Sequence, residues 1–170
     1  MNKLNKLKYL GGYSAAVIDH VHTLINTKKL EGFLLKKYPV CHSIRTDKAL
    51  YGFVTDMKTQ FLRQSNSISK VVYDDKLDVL HQALGLHTFI SRVQGNNLKS
   101  KNEIRISSVF KKCPLEFLTM IVTHELAHLK EKEHNKAFYK LCEYIEPNYH
   151  QIEFDMRLYL TYLDLVGKLY

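Results

Sequence analysis

Residues 113–139 read CPLEFLTMIVTHELAHLKEKEHNKAFY, and this stretch decides the fold. Leu118, Ile121, Val122, Leu126 and Leu129 recur at helical spacing and predict a helix over about 114–131 with one buried stripe. Cys113-Pro114 opens it. Proline suits a first helical position, where its missing N–H has no helical acceptor, and Glu116 sets a carboxylate at the positive end of the helix dipole. His124 and His128 are four residues apart, about 40° around the axis, so both imidazoles face one way. His134 lies six residues further, about 240° of rotation, and a continuing helix would turn it away. The helix is therefore expected to end between Leu129 and Glu133, with the chain bending back.

Two imidazoles on one helical face and a third returning beside them suit a zinc ion. Zinc takes imidazole nitrogen at about 2.0–2.1 Å in a tetrahedron, and catalytic sites leave the fourth position to water. Glu125, next to the first histidine, is placed to act as general base on that water. The predicted site is thus His124, His128 and His134 as ligands with Glu125 as catalytic group. Three-histidine sites also accept other divalent transition metals such as manganese or nickel. The chain has nine histidines and, counted along it, nine glutamates. A chance HExxH arises in roughly one shuffled chain in forty, and the added third histidine lowers that to roughly one in eight hundred. Ligands at the first, fifth and eleventh positions match the metzincin spacing HExxHxxGxxH. Glu131 replaces the turn glycine, no glycine lies between Leu129 and Glu133, and no Met-turn follows, so ligand geometry carries over and the metzincin fold does not.

Outward from this helix, apolar stripes predict helices over about Ser14–Asn26 (Val17, Ile18, Val21, Leu24, Ile25) and Ala49–Arg63 (Leu50, Phe53, Val54, Met57, Phe61). Lys70–Tyr73 is a strand candidate ended by Asp74-Asp75. Leu86–Val93 and Glu103–Phe110 are β-rich and flank Gln94-Gly95-Asn96-Asn97, which predicts a hairpin. Two helices follow, over about Asn135–Tyr144 and Gln151–Val166. The order is helices, a small sheet or hairpin, the HExxH helix and C-terminal helices: a single α+β, zincin-like domain spanning 1–170.

Composition narrows the class. Hydrophobic residues make up 45% and charged residues 25%, an ordinary globular balance. No apolar run reaches membrane-spanning length, and the basic start lacks an apolar stretch of signal-peptide length. Cys41, Cys113 and Cys142 are dispersed, without a CxxC pair, which reads as reduced thiols in a cytoplasm. Net charge is +8 and the pI near 9.3, favouring anionic partners or serving solubility alone. Lys99, Lys101, Arg105, Lys111 and Lys112 concentrate that charge ahead of the HExxH helix. Lys101 and Arg105 are candidate phosphate-binding residues, against a plain solvated surface. Neither a P-loop nor a Nudix signature is present. Tyr149 and His150, in a turn after the third ligand, are candidate stabilisers of transition-state charge, against capping or packing roles. His20, His22, His42, His81 and His87 read as surface or structural histidines.

HELAHLKEKEHNKAFYKLCEYIEPNYHQIEFDMRLYL, with SRVQG at 91–95, ALGLHT at 83–88 and TDKALY at 46–51, resembles the bacterial YgjP-like metallopeptidase-domain family over about residues 11–165. That resemblance implies zinc at the three histidines and catalysis by Glu125. It implies peptide hydrolysis by the family's name, yet bacterial members have also been described as UTP pyrophosphatases. A UTP pyrophosphatase is the first expectation, supported by the positive charge. A zinc metallopeptidase is the second, supported by the motif, with an edge strand able to align an extended peptide. The third is an RNA-processing hydrolase, since the YbeY endoribonucleases share the histidine spacing; they typically lack a glutamate after the first histidine, and Glu125 counts against that alternative. Nucleotide or peptide is thus the expected partner, with nucleic acid less favoured and no membrane.

Overall fold

Short polar caps start the helices where the apolar stripes begin. The computed structural model describes residues 7–80 and 102–170. The Ser14 side chain accepts the Val17 N–H and opens α1 (Ala15–Asn26). Thr46 does the same for α3 (Asp47–Phe61), accepting from Ala49 N–H, and Asn135 for α5 (Lys136–Ile145), accepting from Phe138 N–H. Such caps satisfy amide groups that have no partner inside the helix and contribute about 1 kcal/mol each. The remaining elements are α2 (Leu30–Lys37), β1 (Lys70–Asp74), β2 (Glu103–Ser107), α4 (Leu115–Ala127) and α6 (Tyr149–Leu165). Short 3-10 turns precede α1 at Lys8–Leu10 and follow β2 at Ser108–Lys112.

The α+β class and the order of elements agree with the sequence expectation, with three corrections of detail. The β-rich stretch predicted as Glu103–Phe110 ends as strand at Ser107, whose side chain accepts from Val109 N–H as the chain tightens into a 3-10 turn. That turn drives Phe110 into the core. β2 pairs with β1 in parallel, in register from Lys70 opposite Glu103 to Asp74 opposite Ser107. The other arm of the predicted hairpin, 86–93, and its turn at 94–97 lie outside the described residues. Pro114 stands at the N-cap of α4, one position before the helix proper.

α4 is the spine of the molecule. Phe117, Leu118, Met120, Ile121, Val122, Leu126 and Ala127 are all buried, which is more than the single stripe expected. The reason is its position: α5, α6 and β2 all pack against it. Phe117 lies between Tyr38 and Tyr159, with ring centroids at 4.6 and 5.4 Å. Burying one such ring contributes about 1.5–3 kcal/mol. No described helix is long and apolar enough to cross a membrane.

Buried polar groups fix α6 against the N-terminal helices. The fully buried Asp155 carboxylate accepts from Lys37 Nζ, from Tyr38 Oη and, at 3.0 Å, from Gln151 Nε2. Arg157 donates to the Tyr9 carbonyl at 3.0 Å and to Glu153 Oε1 at 2.7 Å. Removing the shared acceptor leaves the Tyr38 hydroxyl and the Lys37 ammonium without it. Asp155→Ala is expected to lower folding stability by roughly 2–4 kcal/mol in urea denaturation, and Tyr38→Phe by only about 1 kcal/mol. Equal stability of Asp155→Ala and wild type would show that this network does not tie α6 down.

Candidate metal centre

The last turn of α4 brings the motif together. His124 is 6% and Glu125 7% exposed, so both sit in the protein rather than on it. The helix ends at Ala127, with His128 as its C-cap, slightly earlier than the expected window from Leu129 to Glu133. Beyond it the hydrogen bonds shorten to a three-residue step, Leu129 N–H to the Leu126 carbonyl at 3.0 Å and Lys130 N–H to the Ala127 carbonyl at 3.1 Å. This tightening, common at helix ends, turns the chain without a left-handed residue. Lys28 is the one non-glycine residue with positive φ among the described residues, so Glu131 fills the turn position at no conformational cost.

The bend brings His134 back onto the pair. His124 Nε2 lies 3.3 Å from His128 Nε2 and 3.2 Å from His134 Nε2, and the last two are 3.1 Å apart. Two nitrogens bound to one tetrahedral ion at about 2.0–2.1 Å would be about 3.3–3.4 Å apart. The observed triangle has that size, and the three side chains could hold a single metal ion. The opposite ring edges are also engaged. His128 Nδ1 lies 2.9 Å from the Glu131 carbonyl, and His124 Nδ1 2.8 Å from Tyr149 Oη. A backbone carbonyl only accepts, so His128 carries its proton on Nδ1 and presents a bare Nε2 to the cluster.

Phe138, which the sequence reading did not single out, floors the site. Its ring centroid lies 5.0, 4.6 and 4.8 Å from those of His124, His128 and His134, and it is fully buried. The usable sequence signal was Asn135: as N-cap it accepts the Phe138 N–H at 2.9 Å, fixing the ring three residues beyond the cap.

The other candidates separate. Tyr149 is 1% exposed, and its hydroxyl sits behind His124, on the edge away from Nε2. Burial pushes its phenol well above the usual range and pushes the neighbouring Cys142 thiol up to about 12, so both are neutral. His150 is exposed and pairs with Glu143 at 3.1 Å. Arg105 on β2 is held by Asp74 at 2.8 Å and Glu103 at 2.7 Å, and its guanidinium keeps the Asp74 carboxyl below the usual carboxylate range. Lys112 lies at the far end of α4, its carbonyl accepting from Tyr159 Oη at 3.0 Å. Tyr159 is ten residues along α6 from Tyr149, about 15 Å. Lys101, Lys99, His81 and His87 lie outside the described residues. His42 is buried and structural, its Nε2 2.7 Å from the Phe110 carbonyl.

Comparison with known proteins agrees with this geometry. The family model described as YgjP-like, metallopeptidase domain, matches residues 73–158, a span holding the three histidines, Glu125 and Tyr149. A curated relative from Escherichia coli (strain K12), named UTP pyrophosphatase, is 57% identical over 162 residues, covering 95% of this chain and 97% of the relative. No solved structure matches.

A triangle of imidazoles that only folding assembles would bind a metal ion more tightly in the folded state than in the unfolded one. At a hundredfold excess over Kd, a divalent transition metal is expected to raise stability by about 2.7 kcal/mol. Thermal melting should show the increase, a chelator should reverse it, and His134→Ala should abolish it. A melting temperature indifferent to metal would remove the ion from the site.

Proposed function

Because this chain belongs to the YgjP-like family, we propose that it is a zinc-dependent hydrolase releasing pyrophosphate from a nucleoside triphosphate, UTP in particular. One observation carries the hydrolase reading: three histidine Nε2 atoms within 3.3 Å of one another, beside a buried glutamate next in sequence to the first. The nucleotide substrate is supported by the similarity to the Escherichia coli UTP pyrophosphatase and by the net charge of +8. The three free cysteines suit a cytoplasmic setting.

Bound at His124, His128 and His134, zinc supplies Lewis acidity and lowers the pKa of a water at the site. Glu125 then takes a proton from the attacking water on a carboxylate oxygen. The water oxygen bonds to the α-phosphorus, the bond to the bridging oxygen breaks, and pyrophosphate leaves with the electron pair. Glu125 returns the proton to the solvent or to the leaving group, so acid and base work share one residue. Phe138 seals one side of the imidazole cluster and limits water there, which strengthens the electrostatics of the site.

A peptidase is the second reading, favoured by the family description and by the HExxH glutamate, which serves an acyl carbon as well as a phosphorus. Pyrophosphate release distinguishes the two. Zinc-loaded wild type is expected to release it from UTP, and Glu125→Gln to lose about a hundredfold or more in kcat while keeping its zinc. Peptide-library cleavage abolished by Glu125→Gln, with no release from UTP, ATP, GTP or CTP, would favour the peptidase instead. Arg105 is already held by two carboxylates, so Arg105→Ala is expected to leave KM for UTP within about twofold. Lys101 keeps the phosphate-binding proposal, and Lys101→Ala is expected to raise KM.

A further inference from the structure

Behind His124, on the ring edge away from the cluster, stands a buried hydroxyl. Tyr149 Oη lies 2.8 Å from His124 Nδ1. Both residues are buried, Tyr149 almost completely. Local structure sets the contact up. Glu146 accepts the Tyr149 N–H at 2.9 Å through its carbonyl, and Tyr149 becomes the first residue of α6.

The contact has a direction. With Nε2 turned to the cluster, a neutral His124 carries its proton on Nδ1 and donates to Tyr149 Oη. Reversed, the phenol would donate to Nδ1, the imidazole proton would move to Nε2, and that nitrogen could not bind a metal. His128 meets the same requirement through the Glu131 carbonyl at 2.9 Å. For His124 the requirement falls to a side chain 25 residues away, on another helix.

We propose that Tyr149 is a positioning residue that holds His124 in the tautomer and orientation that present Nε2 to the metal. It therefore acts through His124 and does not touch the substrate. The proposal rests on the metal-centre reading above.

Zinc affinity measured by competition with a chromogenic chelator tests it, on wild type, Tyr149→Phe and Tyr159→Phe. Orienting partners of this kind are worth about 10–100-fold in metal affinity, so Tyr149→Phe is expected to bind that much more weakly. Tyr159→Phe, a buried tyrosine at the far end of α4, should match wild type. Imidazole nitrogen NMR of zinc-loaded wild type gives a second readout that does not need a folded variant. It should show His124 protonated at Nδ1, with slow proton exchange and an Overhauser contact to Tyr149. Wild-type zinc affinity in Tyr149→Phe, or a His124 protonated at Nε2, would overturn the proposal. A wild type that binds no zinc would overturn the metal centre itself, and the positioning role with it.

Discussion

Three imidazole nitrogens held 3.1–3.3 Å apart are the constraint on which the rest of the structure depends. Brought together as lone pairs, they repel one another. His128 has no choice of tautomer, because the Glu131 carbonyl takes its Nδ1 proton. His124 is met on the same edge by Tyr149. The protein therefore concentrates acceptors at one point and leaves a cation as the group that satisfies them together. Such an arrangement costs folding free energy without the ion and returns it on binding, so the scaffold around it must be stiff.

That stiffness comes from α4 and from what surrounds it. A helix buried on nearly every side cannot rotate, so the positions of His124 and His128 on its last turn are set by the core residues Phe117 to Val122 below them. Phe138 blocks the imidazole rings from sliding, and the Asn135 cap holds Phe138. The Asp155 and Arg157 networks fix α6, and α6 begins with Tyr149. Polar contacts six and eight residues further along α6, about 9 and 12 Å away, therefore help fix the hydroxyl that meets His124.

Much of this was legible in the sequence. The helix starts near Ser14 and Asn135 follow from apolar stripes behind short polar residues, a local property, whereas the helix expected from Ala49 starts two residues earlier, at Asp47, behind its Thr46 cap. The triad was legible because four- and ten-residue spacings on and just beyond one helix translate directly into geometry. α2 was not singled out: its LEGFLLKK sequence has no side-chain cap and only Leu30 and Leu34 are buried, so it carries little periodic signal. The parallel pairing of β1 and β2 was hidden because a strand's partner is a non-local fact, and a glycine-asparagine turn suggests the nearer partner. Arg105 and Tyr149 were noticed as residues, but their partners were not, for the same reason. Their partners, Asp74 and His124, come from elements whose relative placement no single stretch of sequence specifies.

A metallopeptidase domain and a UTP pyrophosphatase relative are compatible once the tasks of the site are separated. Peptide and phosphoanhydride hydrolysis both need a water deprotonated near neutral pH, a cation to draw charge from the attacked group, and a proton for the leaving atom. With an ion held at the three histidines, Glu125 and that ion would address all three needs and discriminate neither acyl carbon nor phosphorus. Selection must then come from groups around the site that meet the substrate's own charge. Among the described residues, Arg105 is occupied by Asp74 and Glu103, and Lys112 stands at the other end of α4. On the proposed mechanism the buried motif would activate the water, and the rim would select the bond that water reaches. An HExxH helix by itself therefore specifies hydrolysis more firmly than it specifies a peptide.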